Sequence, residues 1–409
     1  MRVLFLSLLD FNSLNDQNIY TDLLREFAKN GHDVYCISPV ERRTGIKTHL
    51  RENGHILKLK IGNIQKTNFI EKGISTLRVE RQFISGIKRY FSAIKFDVVL
   101  YATPPITFAS VIKYVKHRDN ARTYLMLKDI FPQNAVDVGL MVTGGVKGSL
   151  YRYFRQKEKE LYALSDRIGC MSQRNVDYLL EHNPEISRDR VDICPNCVDV
   201  RDVCSSARER LSIREMYGLP LDKKIFVYGG NLGKPQDVPF IIRCLKEAAS
   251  IDDAYFMIAG SGTDRYLFEE YILKEQPSHV KLFDAFSKYE FDSIISCCDI
   301  GVVFLDHRFT IPNFPSRLLS YMQAGLPVLA CTDPSTDIGD VIIKGNFGWS
   351  CESNDCQHFC RLIRTICSAD TSDKSRNARV YLAEHFSAQK VYGDLQRSIA
   401  SMLYGFDPL

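Results

Sequence analysis

Four segments of this 409-residue chain carry residue types that bind anions or polar substrates. The first, residues 229–234, reads Gly-Gly-Asn-Leu-Gly-Lys: its glycines let backbone N–H groups approach a phosphate, and Lys234 adds a positive charge. The second is the tight turn Gly260-Ser261-Gly262. Neither is a Walker loop or a G-x-G-x-x-G motif, so each pattern alone is also compatible with an ordinary turn.

The other two segments add a guanidinium and a carboxylate. In residues 311–328, Pro315-Ser316 predicts a helix start and Gly325 its end, so the N–H groups of residues 316–318 and Arg317 could form a second anion site facing Lys234. Residues 128–134 place Asp129 beside amides and an aromatic ring, a composition that suits recognition of a polar substrate. Taken alone, residues 311–328 are also compatible with a capped helix, and residues 128–134 with a structural aspartate.

All four segments follow short apolar runs that we interpret as strands of parallel sheets, which bind ligands outside the carboxyl ends of their strands. Apolar runs and helical patterns alternate along the chain and lapse only near residues 200–222. We therefore predict an α/β fold with two doubly wound, Rossmann-like domains at 1–200 and 201–385. A helix within 386–409 is expected to pack back on the first domain.

Composition narrows the class of protein. With 45% hydrophobic and 25% charged residues the chain is globular, which excludes a disordered, collagen-like or coiled-coil protein. Residues 1–200 carry 30 Lys/Arg and 22 Asp/Glu, whereas the rest carries 23 and 27, so the two halves have opposite net charge. No export signal or membrane-spanning run is recognisable, and we expect the 13 cysteines to be reduced thiols rather than metal ligands or a redox pair.

Together the segments resemble those of retaining GT-B glycosyltransferases of family 4, in the branch for capsular polysaccharide and O-antigen that includes N-acetyl-L-fucosaminyl transferases. Residues 129–133 resemble its Asp-Leu-Trp-Pro-Glu segment, and residues 191–199 resemble the Pro-Asn-Gly-Val-Asp turn that ends its first domain. Residues 230–234 resemble the donor phosphate loop. Residues 315–317 with 324–328 resemble the Pro-Ser-Lys…Ala-Gly-Lys-Pro-Val signature.

The resemblance implies a GT-B fold with two domains facing a central cleft, and transfer of a sugar from a UDP-sugar by front-face attack. Neither a metal ion nor another cofactor is expected. The implied catalytic residues are Lys234, Arg317 and Asp129. The implied donor-binding residues are Gly230, Asn231, Leu232, Gly233, Gly260, Ser261, Gly262, Asn313, Ser316 and Ser320, and the implied acceptor-binding residues are Asp10, Gln133 and Asn134.

Three positions depart from the family pattern. Two glutamates separated by seven residues are usual in the signature helix, but Pro312 and Ser320 stand there. Gln133 likewise replaces a glutamate. A serine at 320 can hydrogen-bond a ribose hydroxyl without the charge-assisted strength of a carboxylate, so we expect these changes to affect donor choice and affinity.

The resemblance also implies a polyprenyl-diphosphate-linked sugar as acceptor, and a cytoplasmic protein peripheral on the inner face of the cell membrane. A basic segment, residues 58–95, carries nine Lys/Arg and only two glutamates, with Tyr90, Phe91 and Phe96 interleaved. We predict that it binds an anionic membrane surface, although a solvated helix has the same pattern. No nucleic-acid-binding module is recognisable, and no nucleic-acid partner is expected.

Two other functions remain open. A nonhydrolysing UDP-sugar epimerase also has paired α/β domains, but its pattern of catalytic acids and histidine is not found here. A non-enzymatic nucleotide-sugar-binding subunit is suggested by Pro312 and Ser320. Epimerised sugar nucleotide formed without acceptor would favour the first, and failure to bind any nucleotide would favour the second.

Overall fold

The computed structural model describes residues 1–64, 69–203 and 205–405. The chain forms two compact units, Met1–Asp199 with Ala388–Leu409, and Val200–Ser387. We call them unit 1 and unit 2.

Unit 1 contains one sheet whose strands are buried on both faces in its middle. The strands are β1 (Arg2–Leu6), β2 (Asp33–Glu41), β3 (His49–Arg51), β4 (Ile56–Ile61), β5 (Val98–Ala102), β6 (Arg122–Leu127), β7 (Arg167–Cys170) and β8 (Val191–Ile193). Their order is β3-β4-β2-β1-β5-β6-β7-β8, and every pair is parallel except β3 with β4. The strand order reverses between β1 and β5, which is where such sheets bind ligands.

The helices of unit 1 are α1 (Thr21–Lys29), α2 (Phe69–Tyr90), α3 (Ala109–Asp119), α4 (Gln133–Asp137), α5 (Ser149–Leu164) and α6 (Gln173–His182). In α1, Leu23, Leu24 and Phe27 recur at helical spacing and are buried in the core. Gly31, with φ of +78°, follows this helix, a common position for glycine at a helix end.

Unit 2 contains six parallel strands in the dinucleotide-binding order. They are β9 (Lys224–Asn231), β10 (Ala254–Ser261), β11 (Val280–Phe283), β12 (Ile300–Phe304), β13 (Val328–Thr332) and β14 (Gly348–Glu352). The sheet order is β11-β10-β9-β12-β13-β14. The topological switch point therefore lies between β9 and β12, at the end of the strand that carries the glycine-rich segment.

The helices of unit 2 are α7 (Ala207–Met216), α8 (Val238–Glu247), α9 (Arg265–Glu275), α10 (Lys288–Ile295), α11 (Arg317–Gln323), α12 (Ile338–Lys344), α13 (Cys356–Ser368) and α14 (Ser372–His385). The last helix, α15 (Ala388–Tyr404), belongs to unit 1. It buries Val391, Leu395 and Ile399 in the core that Phe27 of α1 shares.

The α/β fold with two Rossmann-like units is confirmed. The apolar runs do not predict two of the strands. These are β3, whose three residues are all exposed, and the edge strand β14. The apolar runs before the two glycine segments, at 224–228 and 254–259, lie in strands that extend to Asn231 and Ser261. Gly229, Gly230 and Gly260 are therefore strand residues. Every cysteine in the described ranges is a free thiol. Among the described helices, none is both long and apolar enough to span a membrane.

Candidate active site

The two glycine segments of unit 2 lie side by side because β9 and β10 pair to their ends. Gly230 is opposite Gly260, and Asn231 is opposite Ser261. A Cβ atom built on Gly260 would lie 1.9 Å from the backbone oxygen of Gly230, and φ of Gly260 is +157°. Only glycine fits at position 260, since any side chain would push the two strand ends apart.

Leu232 ties these segments together. Its N–H donates to the oxygen of Ser261 at 2.9 Å, its own oxygen accepts from the N–H of Asp264 at 2.9 Å, and its side chain is fully buried. This corrects the expectation that Leu232 contacts the donor, because neither its N–H nor its side chain is open to a ligand. A Cβ on Gly262 would lie 2.3 Å from the Leu232 oxygen, so Gly262 is required by this packing.

Lys234 begins a short 3-10 turn, Lys234–Gln236, after Gly233. Nδ2 of Asn231 donates to Oε1 of Gln236 at 2.7 Å, which fixes the loop on both sides of the lysine. Lys234 itself is exposed, and its ammonium has no hydrogen-bond or ion-pair partner within the described residues. A cation on a fixed loop, without a carboxylate partner, is suited to a phosphate.

Arg317 lies against the glycine segment. Its guanidinium carbon is 4.5 Å from the centre of the Tyr228 ring, and its Nη2 is 3.2 Å from the position of a Cβ on Gly230. The Nη1 atom is buried and has no hydrogen-bond partner in the described part of the chain. Because an aromatic face, not a carboxylate, holds this cation, its charge remains available to an anion.

The start of α11 offers fewer free N–H groups than the sequence predicts. Ser316 is the exposed N-cap residue, but its side chain makes no capping hydrogen bond. The N–H of Leu318 donates to the oxygen of Pro315 at 3.2 Å. The expectation of free N–H groups at 316–318 is therefore wrong for Leu318. Nδ2 of Asn313 is buried without a partner in the described ranges, and Ser320 is half-buried.

In unit 1, Asp129 follows β6 and is held by polar neighbours. Its Oδ1 accepts from Nδ2 of Asn134 at 2.7 Å, and its backbone N–H and oxygen both bond to the hydroxyl of Thr103 at 3.2 Å. Burial raises the pKa of Asp129 to about 6, although the hydrogen bond from Asn134 favours the ionised form. The carboxylate is thus poised to change its charge near neutral pH.

Asp10 follows β1 and is paired with a buried lysine. Lys58 is 1% exposed, and its ammonium donates to Asp10, to the oxygen of Phe11 at 2.7 Å and to Ser38 Oγ at 3.1 Å. This corrects the assignment of Lys58 to a membrane-binding surface, because its charge is used inside unit 1. The Asp10 side chain is about half exposed, at 53%.

Gln133 begins α4 and is tied to its own unit. Its Nε2 donates to Asp137 at 2.7 Å, and its Oε1 accepts from the hydroxyl of Tyr151 at 3.3 Å. Of the two predicted acceptor residues after β6, Asn134 therefore holds Asp129, whereas Gln133 is bonded to Asp137 and Tyr151.

The basic segment 58–95 is only partly a charged surface. Phe91 and Phe96 are buried core residues, so they cannot face a membrane as the sequence suggests. The remaining described cations are exposed: Lys60, Arg78, Arg81, Lys88, Arg89 and Lys95. Lys66 and the side chain of Lys72 lie outside the described residues.

Sequence reasoning misses the residues that position the cations. The hydroxyl of Tyr321 accepts from the N–H of Gly229 at 3.0 Å, and Tyr228 stacks on Arg317 and donates to the oxygen of Asn231 at 2.6 Å. Both tyrosines occupy positions that the apolar patterns of β9 and α11 assign to the core. Their hydroxyl groups are the only sequence signal of a further role.

Family models match both units. Residues 17–202 match the model described as Glycosyltransferase Family 4, and residues 209–384 match the model described as Glycosyl transferases group 1. The probable glycosyltransferase WbjE of Pseudomonas aeruginosa is 24% identical over 331 residues, which cover 80% of both chains. The putative colanic acid biosynthesis glycosyl transferase WcaI of Escherichia coli K12 is 19% identical over 248 residues, or 60% of both chains.

A solved structure shares the fold over the whole chain. HepE of Anabaena, in complex with UDP-glucose, has a TM-score of 0.68 and 13% identity, and the match covers 99% of this chain and 100% of HepE.

Proposed function

The chain belongs to the glycosyltransferases of the group 1 and family 4 type, and on that premise we propose its reaction. It transfers a sugar from a UDP-sugar to a lipid-linked saccharide, with retention of the anomeric configuration and without a metal ion. The sugar is an N-acetylated deoxyhexosamine, and the product belongs to a bacterial capsule or O-antigen polysaccharide.

The observation that carries this proposal is the pair of uncompensated cations beside the glycine strand ends of unit 2. Lys234 has no partner in the described ranges, and Nη1 of Arg317 is buried without one. Such groups at the switch point of a parallel sheet are suited to a diphosphate. HepE, which shares the fold, was crystallised with UDP-glucose, and this supports UDP as the nucleotide.

Departure of the diphosphate is the difficult step, since negative charge builds on its oxygens as the bond to the sugar breaks. Lys234 and Arg317 would stabilise that charge electrostatically. In front-face attack, the acceptor oxygen bonds to the anomeric carbon on the side that the diphosphate leaves, and the acceptor proton passes to a phosphate oxygen. The reaction then needs no protein base, and Asp129 would orient a substrate hydroxyl.

The lipid-linked acceptor rests on two observations. WcaI, a relative, is described as a colanic acid biosynthesis transferase, which supports a polysaccharide product. Unit 1 carries exposed cations on α2, where Arg78, Arg81 and Arg89 recur at helical spacing. Such a surface attracts anionic headgroups, which would place the protein at the cytoplasmic face of the cell membrane.

A transfer assay tests the proposal. Purified protein would be incubated with a panel of UDP-sugars and a polyprenyl-diphosphate saccharide, and the anomeric proton of the product would be followed by NMR, with and without EDTA. We expect one donor to give a product with the anomeric configuration of the donor, at a rate that EDTA leaves unchanged. An inverted product would contradict the mechanism, and epimerised UDP-sugar formed without acceptor would contradict the reaction itself.

A further inference from the structure

Unit 1 exposes an apolar surface that the reaction does not use. Five large apolar side chains between α4 and the first turns of α5 are exposed: Leu140, Val142, Val146, Leu150 and Tyr153. Val146 is 91% exposed and Leu140 is 65% exposed. We call residues 139–153 the apolar segment. Single exposed apolar residues are ordinary, but five within 14 positions concentrate exposed apolar side chains in one segment, which is typical of an interaction site.

The backbone holds this segment in a defined shape. The N–H of Gly148 donates to the oxygen of Gly144 at 3.0 Å, and the N–H of Ser149 donates to the oxygen of Val146 at 3.1 Å. Gly145 has φ of +62°, and a Cβ on Gly148 would lie 2.2 Å from the oxygen of Thr143. The turn thus depends on glycines, and it presents Val146 at its tip.

The charge around the segment has one sign. Residues 138–157 contain four Lys/Arg and no Asp or Glu. Arg155 and Lys157 pair with Glu158 and Glu160, which follow on α5. Lys147 and Arg152 are exposed, and neither has an ion-pair partner within the described ranges. The apolar side chains are therefore accompanied by two free cations.

The segment lies at the same edge of the sheet as Asp129, and its Tyr151 hydroxyl donates to Oε1 of Gln133, a predicted acceptor residue, at 3.3 Å. Asp129 follows β6, and α5 connects β6 to the parallel strand β7. A helix that joins parallel strands begins at the carboxyl edge of the sheet, so the start of α5 and Asp129 lie at the same edge.

We propose that the apolar segment inserts into the interfacial layer of an anionic lipid bilayer. Val146 and Leu140 would enter the acyl boundary, and Lys147 and Arg152 would contact lipid phosphates. The charge favours a membrane over a second copy of the chain, because a two-fold interface through this segment would bring like charges together. The inference rests on the proposed lipid-linked acceptor.

The basic surface of α2 differs in chemistry from this segment. Lys60, Arg78, Arg81 and Arg89 line an open groove of about 450 Å³ whose one aromatic lining residue, Tyr90, is half-buried. Phe91 and Phe96, the next aromatic residues in sequence, are buried. That surface can attract headgroups but offers little apolar area to insert. We therefore assign insertion into the bilayer to the apolar segment. We assign the long-range attraction to anionic headgroups to the cations of α2.

A tryptophan placed at the tip reports insertion directly. The chain has a single tryptophan, Trp349 in unit 2, so its constant emission can be subtracted. In Val146→Trp we expect a blue shift on adding phosphatidylglycerol vesicles, and quenching by lipids brominated in the acyl chain. Leu273→Trp, at a residue of unit 2 that is 77% exposed, is the matched control and should show neither. No shift in Val146→Trp would overturn the proposal.

Loss-of-binding variants separate insertion from the reaction. Leu140→Asp/Val146→Asp should lower the vesicle partition coefficient about a hundredfold, and Lys147→Ala/Arg152→Ala about thirtyfold on anionic vesicles. UDP affinity and transfer to a short, water-soluble acceptor should stay unchanged in both. Unaltered partitioning in the first variant overturns the inference, as does wild-type dimerisation that this variant abolishes. A wild type that binds vesicles but transfers no sugar contradicts the proposed function instead.

Discussion

The two units place different chemistry at the carboxyl ends of their strands. In unit 2, the ends of β9 and β10 present glycines, an exposed lysine and an arginine stacked on Tyr228. In unit 1, the ends of β1 and β6 present carboxylates, Asp10 on a buried lysine and Asp129 with a pKa raised to about 6. In the proposed function, unit 2 would bind the anionic donor phosphates and unit 1 the hydroxyl groups of the acceptor.

The unit 2 site depends on backbone packing, so its most damaging change is steric. Gly260→Ala places a Cβ 1.9 Å from the Gly230 oxygen, and we expect the affinity for UDP to fall at least about a hundredfold. Isothermal titration calorimetry measures this change. Gly393→Ala is the control, because a Cβ there meets no atom within 4 Å and should leave binding unchanged. Equal UDP affinity in both variants would refute the strand-end site.

The charge of Lys234 is the next test of the same unit. Since its ammonium has no internal partner in the described ranges, Lys234→Ala should leave stability unchanged and lower kcat/KM about a hundredfold. Steady-state kinetics and thermal melting measure the two effects. Lys344→Ala, which removes another exposed lysine of unit 2, should alter neither. Near-normal transfer by folded Lys234→Ala protein would remove this residue from the mechanism.

In unit 1 the buried lysine, Lys58, is structural. Lys58→Met removes the donor to Phe11 and Ser38, and we expect the free energy of unfolding to fall by about 2 kcal/mol. Urea denaturation measures it. Lys60→Met, at an exposed position of the same strand, is the matched control and should cost little. Equal losses of unfolding free energy in Lys58→Met and Lys60→Met would mean that Lys58 is a surface residue.

The smallest effect concerns Asp129. Its folded-state pKa of about 6 lies above the ordinary value of 3.8, so the native state binds more protons than the unfolded state between these values. Stability should therefore fall as the pH rises from about 4 to 6. Asp129→Asn should remove this slope and be more stable at pH 7 by about 1–2 kcal/mol. Denaturation at several pH values measures it; an unchanged slope would mean that Asp129 is not the group responsible.

The sequence predicts the architecture well and the contacts poorly. Apolar runs locate the strands that are buried on both faces, and the glycine segments follow two of these strands as expected. Hydrophobic periodicity and composition alone do not predict that β9 continues to Asn231. That extension depends on pairing with β10, about 30 residues away.

The burial of charged and aromatic residues is the second feature that the sequence does not predict. The sequence pattern does not distinguish Lys58 from Lys60. Only Lys58 is buried, because Asp10, Phe11 and Ser38 accept hydrogen bonds from its ammonium. Phe91 and Phe96 look amphipathic beside lysines but pack in the core, whereas Val146 looks like a core residue and is exposed. In each case, tertiary contact decides the environment.

Hydrogen–deuterium exchange with and without saturating UDP tests most directly the claim that unit 2 holds the anionic donor. Backbone amides whose opening is suppressed by ligand exchange more slowly. We predict that protection will be concentrated at residues 229–236, 260–264 and 311–320, and will be lost in Gly260→Ala. Protection centred on the carboxylate segments of unit 1, around residues 10 and 129–134, with none in unit 2, would contradict the account.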